Sequence, residues 1–464
     1  MPLYAFTIFA SAFLLFLLQL VTAKQILPWF GGSAAVWITC LVFFQFVLLF
    51  GYIYADWSSH RLAPKRQVII HIALLVLSLA LLPVMPDAGW KPTGGEDPVW
   101  RILGLLAVTI GLPYFLLSTT NPLIQSWFAR TYPDRSPYRL FALSNFASML
   151  ALLGYPLVID PWFTASLQAR SWSLIYAAFV LLCCATAWHS LRAAAGTQRV
   201  VAAHQMPAEV AQPPTLGAYW SWTVFSAMGS LLLLAVTNHL SQNIAAIPLL
   251  WVLPLSIYLL TFILCFDGRG WYRRDFFLGL LAIFLCAMAW ALADIRLAFN
   301  LMLQIGLFLA GLFVACMFCH GELNRLRPAP RYLTRFYLMV ALGGALGALL
   351  VGVIAPLIFS GFYELGIGLV GLAALALYQI RAKKRVVLVA AFGVLLFAIG
   401  SAVYQITKIT DHALRVTRNF YGVLRVHEQR KADVNYTERI LMHGLITHGI
   451  QYPYGRWRRT PTTY

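Results

Sequence analysis

The sequence predicts an all-α polytopic membrane protein: a 6+6 helix bundle plus a thirteenth span and a short β-rich extramembrane tail. Three observations predict it. The 464 residues are 61% apolar and 11% charged, whereas a soluble globular chain is about 45–50% apolar and about 25% charged. Mean hydropathy is +0.75, and apolar runs of roughly 20 residues, enough to cross about 30 Å of hydrocarbon, recur along the chain. The charged residues gather in the connections between those runs. In a soluble protein a net charge of +18 would point to nucleic acid, but between apolar spans it is a topology signal. A lipid bilayer is therefore the expected partner and nucleic acid is not. The seven cysteines all fall in apolar stretches, where a thiol acts as a small hydrophobe, so no disulfide framework is expected.

The first run starts at Leu3 without a basic lead and is too long for a signal-peptide core, so it reads as a span near 4–24. Further spans follow near 34–55, 67–85, 100–128, 138–160 and 170–190. A second series lies near 217–241, 245–266, 275–293, 298–319, 331–359 and 362–381, and a last span near 385–407. The least apolar connection runs from Ser190 to Leu216 and is rich in Ala, Gln and Pro, as a linker is. The expected division is thus a first six-helix bundle over 1–190, a cytoplasmic linker over 191–216, a second bundle over 217–381, a thirteenth span over 382–407 and a separate tail over 408–464.

Of the 34 Lys and Arg residues, 19 fall in connections after even-numbered spans, 5 in those after odd-numbered spans and 10 in the tail. The positive-inside rule then puts the amino terminus and the even connections in the cytoplasm. Thirteen crossings leave the tail outside.

The halves echo each other. Val21-Thr22 is followed by Trp37, then Asp56 and a basic cluster, while Val236-Thr237 is followed by Trp251, then Asp267 and another basic cluster. Span five opens at Arg139 and ends at Pro156-Leu157, and span eleven opens at Arg335 and ends at Pro356-Leu357. Six spans per half make the repeat parallel, the arrangement of the two halves of a major facilitator transporter.

Polar groups inside lipid are costly and therefore informative. Lys24 and Gln25 end span one, and Asn238, His239, Ser241 and Gln242 end span seven. Asn121 and Gln125 share one face of span four, and Asn145 and Ser148 one face of span five. The functional reading is a cavity between the halves that binds a small polar solute, lined by Lys24, Asn121, Gln125 and Asn145 with Asn238, His239 and Gln242. The alternative is helix-to-helix hydrogen bonding. Cys316-Met-Phe-Cys319-His320 has the spacing of a haem-attachment motif, but the charge pattern puts it at a cytoplasmic helix end, so it reads as core. It lacks a clear fourth zinc ligand, and no metal is expected.

Gly51 to Asp56, followed by Arg61, Lys65 and Arg66, resembles the signature between the second and third helices of major facilitator proteins. That resemblance implies a gate, in which Asp56, Arg61 and Arg66 clasp neighbouring helix ends and hold one face shut. A more specific resemblance rests on Ala23 to Trp37, on Ser118 to Leu123 and on Tyr138 to Asn145. Together these stretches resemble the membrane part of bacterial fused major-facilitator/spermidine-synthase-like proteins. The resemblance implies a bacterial inner-membrane bundle carrying a domain related to polyamine aminopropyltransferases. In the tail, the runs from Asn419 to Val426 and from Arg439 to Thr447 are expected as strands. They resemble the amino-terminal strands of aminopropyltransferases, with His443 at the family's aspartate, Thr447 at its glutamine and Tyr464 at its active-site tyrosine. The sequence holds no glycine-rich nucleoside-binding loop, so the tail is expected to be the start of a truncated synthase-like domain. The resemblance implies an S-adenosylmethionine-type nucleoside for the missing part and no cofactor in this chain. Two functions follow as expectations: a transporter-like domain moving a small polar solute, or a membrane anchor for an aminopropyltransferase-like enzyme.

Overall fold

Backbone amides in hydrocarbon have no water to bond, so apolar stretches of this length satisfy them locally as helices. A computed structural model describes residues 1–31, 34–132, 135, 137–201, 213–243, 250–293, 301–411, 413–420, 422–431, 436–443 and 446–462. Among them are eleven helices long and apolar enough to cross a membrane and two shorter apolar ones. The first six are α1 (Pro2–Phe30), α2 (Ala34–Arg61), α3 (Pro64–Ser78), α4 (Pro98–Thr131), α5 (Tyr138–Gly154) and α6 (Ala165–Val201). The next six are α7 (Leu216–Asn243), α8 (Val252–Phe266), α9 (Arg274–Ala293), α10 (Leu301–Arg325), α11 (Leu333–Leu349) and α12 (Glu364–Gln379). The thirteenth is α13 (Arg385–Thr410).

Local chemistry sets several boundaries. Asp97 caps α4, its carboxylate accepting from Val99 N at 2.8 Å with Pro98 at the first helical position. The helix of α6 runs on to Val201, past the expected linker start at residue 191, through a stretch of alanines with high helix propensity. Residues 202–212 of that linker lie outside the described residues. α5 and α11 each continue through a π-helical turn, Tyr155–Ile159 and Leu350–Ile354. Pro156 and Pro356, the repeat-related prolines, sit at these irregularities, where a missing N–H is accommodated.

α1 packs against α4, α5 and α6, and α7 packs correspondingly against α10, α11 and α12. Between the halves α2 lies along α11 and α5 along α8, and exchanging the halves turns one of these pairs into the other. The small residues of α11 explain its closeness to α7. A Cβ at Gly343 would stand 2.3 Å from the Thr223 carbonyl oxygen, and one at Gly347 2.5 Å from that of Ala227. At this spacing the Ser226 and Ser230 hydroxyls donate to the carbonyls of Val340 and Gly344 at 2.6 and 2.9 Å.

α13 runs along α9 and α12 at the edge of the second half, with Val386 and Val389 more than 70% exposed on its outer side. Lys383 pairs with Asp275 at the start of α9, and Lys408 donates to the Ala293 carbonyl at its end, so α13 spans the same thickness as α9.

The tail is an antiparallel meander, β1 (Ala413–Asn419), β2 (Gly422–Lys431), β3 (Tyr436–His443) and β4 (Ile446–Gln451). The two runs expected as strands each straddle a hairpin turn instead. Asn419 closes β1 and its side chain accepts from the Gly422 amide, which opens β2 at φ +153°; there a Cβ would strike His443. His443 lies in β3 opposite Leu424 and Ile446, and Thr447 in β4 opposite Met442. Tyr464 lies outside the described residues. The protein is a multi-pass membrane protein whose described residues form two six-helix halves, a thirteenth helix and a small β-rich tail.

Candidate functional site

Below, the basic end is the end of the bundle where α1 begins and α2 finishes, and the far end is its opposite. Between the halves lies a cavity of about 140 Å³. The first half contributes Ser11 of α1, Gln45 and Tyr52 of α2, Ser118 and Asn121 of α4, and Ser144, Asn145 and Ser148 of α5. The second half contributes Ser226 of α7, Tyr258 and Phe262 of α8, and Tyr337 and Gly344 of α11. Ser11 and Ser226 occupy matching positions of the repeat, each ten residues before the Val-Thr pair of its half.

A chain of hydrogen bonds runs from the second half into the first. Tyr337 OH donates to Gln125 Oε1 at 2.8 Å, Gln125 Nε2 to Asn121 Oδ1 at 2.7 Å, and Asn121 Nδ2 to Ser144 Oγ at 2.9 Å. Gln125 is fully buried behind the cavity wall, while Asn121 and Asn145 are in it. Asn145 lines the space and donates to the Phe141 carbonyl at 2.9 Å.

The basic end is tied shut across the halves. Thr334 Oγ1 donates to Asp56 Oδ1 at 2.7 Å and Arg335 Nε to Asp56 Oδ2 at 3.0 Å, joining α11 to α2. Tyr138 OH donates to the Pro328 carbonyl at 2.6 Å, with Arg327 over the Tyr138 ring. Arg61 and Arg66, expected beside Asp56 in the gate, are exposed instead. Five residues of helix carry Arg61 about 140° around α2 from Asp56, and the ion-pair partner of Asp56 is Arg335, with His60 Nδ1 3.3 Å from its carboxylate. Gln67 of α3 supplies a tie within the first half, accepting from Trp127 and Arg130 of α4 and donating to Ser58 and Ser59 of α2.

At the far end the rings of Trp37 and Trp251 meet at 4.2 Å between centroids, one from each half. The remaining expected cavity residues lie near this end, away from the cavity. Lys24 is ion-paired with Asp160, beyond the π turn of α5. Asn238 donates to Glu364 Oε1 at 2.9 Å, and Glu364 also receives both terminal nitrogens of Arg418 from β1, at 2.9 and 3.1 Å. His239 packs on Phe308 at 4.3 Å. The side chain of Gln242 lies outside the described residues. The physical reason is axial position: Lys24, Asn238 and His239 stand several turns along their helices beyond Ser11 and Ser226.

Cys316, Cys319 and His320 are buried, His320 Nδ1 sharing a 2.9 Å hydrogen bond with Thr261 and its ring stacking on Phe262 at 3.6 Å. Among the described residues no group of three His, Cys, Asp or Glu side chains is placed to hold a metal. The residues that sequence reasoning missed are Gln45, Tyr258, Thr334, Arg335 and Tyr337. Gln45 carries a signal, an amide amid an apolar run, whereas Arg335 stood out only as a repeat marker.

No protein-family model and no curated protein matches the chain. Among solved structures it is similar to the xylose transporter XylE from E. coli in its inward-open conformation, with 12% identity, 82% of this chain and 96% of that chain covered, and a TM-score of 0.49. It is similar to the peptide transporter POT in complex with sulfate, with 14% identity, coverage of 86% and 95%, and a TM-score of 0.48. For the nucleoside transporter NupG the values are 13% identity, coverage of 88% and 98%, and a TM-score of 0.43. The solutes named for those proteins are theirs.

Proposed function

We propose that the protein is a transporter-like membrane protein that binds a small polar solute between its halves and moves it by alternating access. One observation carries this reading: a polar cavity built from both halves is closed at the basic end by bonds that themselves cross between the halves. Thr334, Arg335 and Tyr337 lie within one turn of α11, and each bonds to the first half. Opening the basic end breaks all three together, so cavity access is coupled to a single rigid-body step. The lysine and arginine distribution supports a cytoplasmic amino terminus and basic end, with the tail outside; the resemblance of Ala23 to Trp37 to bacterial fused proteins supports a bacterial inner membrane.

The tail's β-meander supports the narrower reading that the bundle belongs to a fused spermidine-synthase-like protein. Its catalytic part and nucleoside site would then be supplied beyond these strands, with the bundle as their anchor. Vesicle uptake tests the transport reading. Vesicles containing the protein take up labelled small polar solutes with saturable kinetics, and Asn121→Leu and Gln125→Leu slow that uptake. Uptake equal to that of protein-free vesicles overturns the reading.

A further inference from the structure

The cavity's chemistry specifies its ligand further than polarity does, and this step rests on the transport site just proposed. Among the described lining residues none is Asp, Glu, Lys, Arg or His. The carboxylate at the basic end, Asp56, is already held by Thr334 and Arg335. An ammonium or carboxylate entering this space would leave its hydration without meeting a counter-charge, which is strongly unfavourable in a low-dielectric site.

The uncharged groups have a direction as well. A serine hydroxyl has one hydrogen to give and two lone pairs. Ser11, Ser118, Ser148 and Ser226 give theirs to the carbonyls of Leu117, Phe115, Ser144 and Val340, at 2.6 to 3.0 Å. Their lone pairs are what remains for a ligand, together with Asn145 Oδ1. These four positions therefore offer acceptors. Donors stand beside them: the Gln45 amide and the hydroxyls of Tyr52 and Tyr258 line the space, and Ser144 Oγ accepts from Asn121, which leaves its hydrogen to give. The ring of Phe262 adds an apolar wall. A cavity of about 150 Å³ takes benzene, with six non-hydrogen atoms, so this one of about 140 Å³ suits a solute of roughly six to ten.

We infer that the ligand is a small uncharged solute with several hydroxyls, which both give and accept hydrogen bonds, a polyol or monosaccharide of roughly six to ten non-hydrogen atoms, and that polyamines and carboxylates are excluded. Scintillation-proximity binding on the purified full chain tests this, with tritiated xylitol and glucose as uncharged probes and tritiated putrescine and glutamate as charged ones. The expected result is saturable binding of xylitol or glucose and none of putrescine or glutamate. Tyr258→Phe keeps the ring and the packing, and weakens that binding about two- to tenfold, the worth of one net hydrogen bond. Asn145→Asp lowers binding of the uncharged probe and creates binding of putrescine. Tighter binding of putrescine or glutamate than of either uncharged probe, or no binding of xylitol and glucose by monodisperse protein, overturns the inference. Binding of an uncharged probe without vesicle uptake sustains the inference and sinks the transport reading, so the two fail separately.

Discussion

The bond network at Asp56 allows a quantitative test of how the halves are held. The Asp56 side chain is 10% exposed and that of Arg335 45% exposed, so their ion pair is partly screened. In Asp56→Asn the Thr334 hydroxyl still finds an oxygen acceptor, but the charged bond to Arg335 is lost. A hydrogen bond to a charged group contributes about 1.5–3 kcal/mol when buried, and exposure of the arginine reduces this toward the ~1 kcal/mol of surface pairs. About 1–2 kcal/mol in favour of the open basic end is a population shift of about 5- to 30-fold. Asn145→Cys places a thiol in the cavity, and its rate of modification by a charged methanethiosulfonate reagent added at the basic end reports that population. The native cysteines are buried or half-buried, and the chain without Asn145→Cys supplies their background. Adding Asp56→Asn raises the rate about 5- to 30-fold, with Arg335→Gln giving a similar rise and the pair giving less than the product, as one shared interaction requires. An unchanged rate, or fully multiplicative effects, refutes the argument that Asp56 and Arg335 lock the halves through each other.

Other outcomes follow from the same packing. Gly343→Ala forces a Cβ to 2.3 Å from the Thr223 carbonyl oxygen and costs about 1–3 kcal/mol as overpacking; it lowers the temperature at which detergent-solubilised protein aggregates, whereas Gly154→Ala, with nothing within 4 Å, does not. Arg418→Met leaves Glu364 charged and buried without its partner, a loss of about 3–5 kcal/mol, and trypsin then removes the tail faster than from the parent; adding Glu364→Gln returns part of the protection, and equal rates in all three proteins would sink this account. Cysteines at Lys65 and Thr93, both exposed, are labelled by impermeant reagents from opposite sides of the membrane; labelling from one side ends the topology.

The helices were legible because length and apolarity alone dictate them in lipid, and the repeat was legible in the two Val-Thr pairs, in Trp37 and Trp251 and in the two prolines. The exact reach of α6 was not, since an alanine-rich connection carries no stop signal. The tail runs at Asn419 and Arg439 read as strands because of their β-branched and aromatic residues, but each holds the end of one strand and the start of the next, at Asn419 and Gly422 and at His443 and Ile446. Within the site, an amide in an apolar run is visible in sequence, which is why Asn121 and Asn145 were singled out. Depth along a helix is less visible. Asn238 carries the same mark as Asn121 and instead meets Glu364 and the tail. Partners are least visible of all: Asp56 and Arg335 lie 279 residues apart, and only the packing of α2 on α11 brings them together.

A residue that touches its own repeat counterpart can do so only on the line about which one half maps onto the other. Trp37 and Trp251 do this at the far end. Phe141 and Tyr337, each two residues into its half's matching helix start, do it toward the basic end, stacked at 4.9 Å. Two points fix a line, and its end toward the basic end lies in the cavity wall, which includes Phe141 and Tyr337. On the proposed transport reading, halves that tilt about a fulcrum between these contacts work as a see-saw: parting the tryptophans presses the other pair together, and parting Phe141 from Tyr337 presses the tryptophans. With both pairs touching, the beam is level.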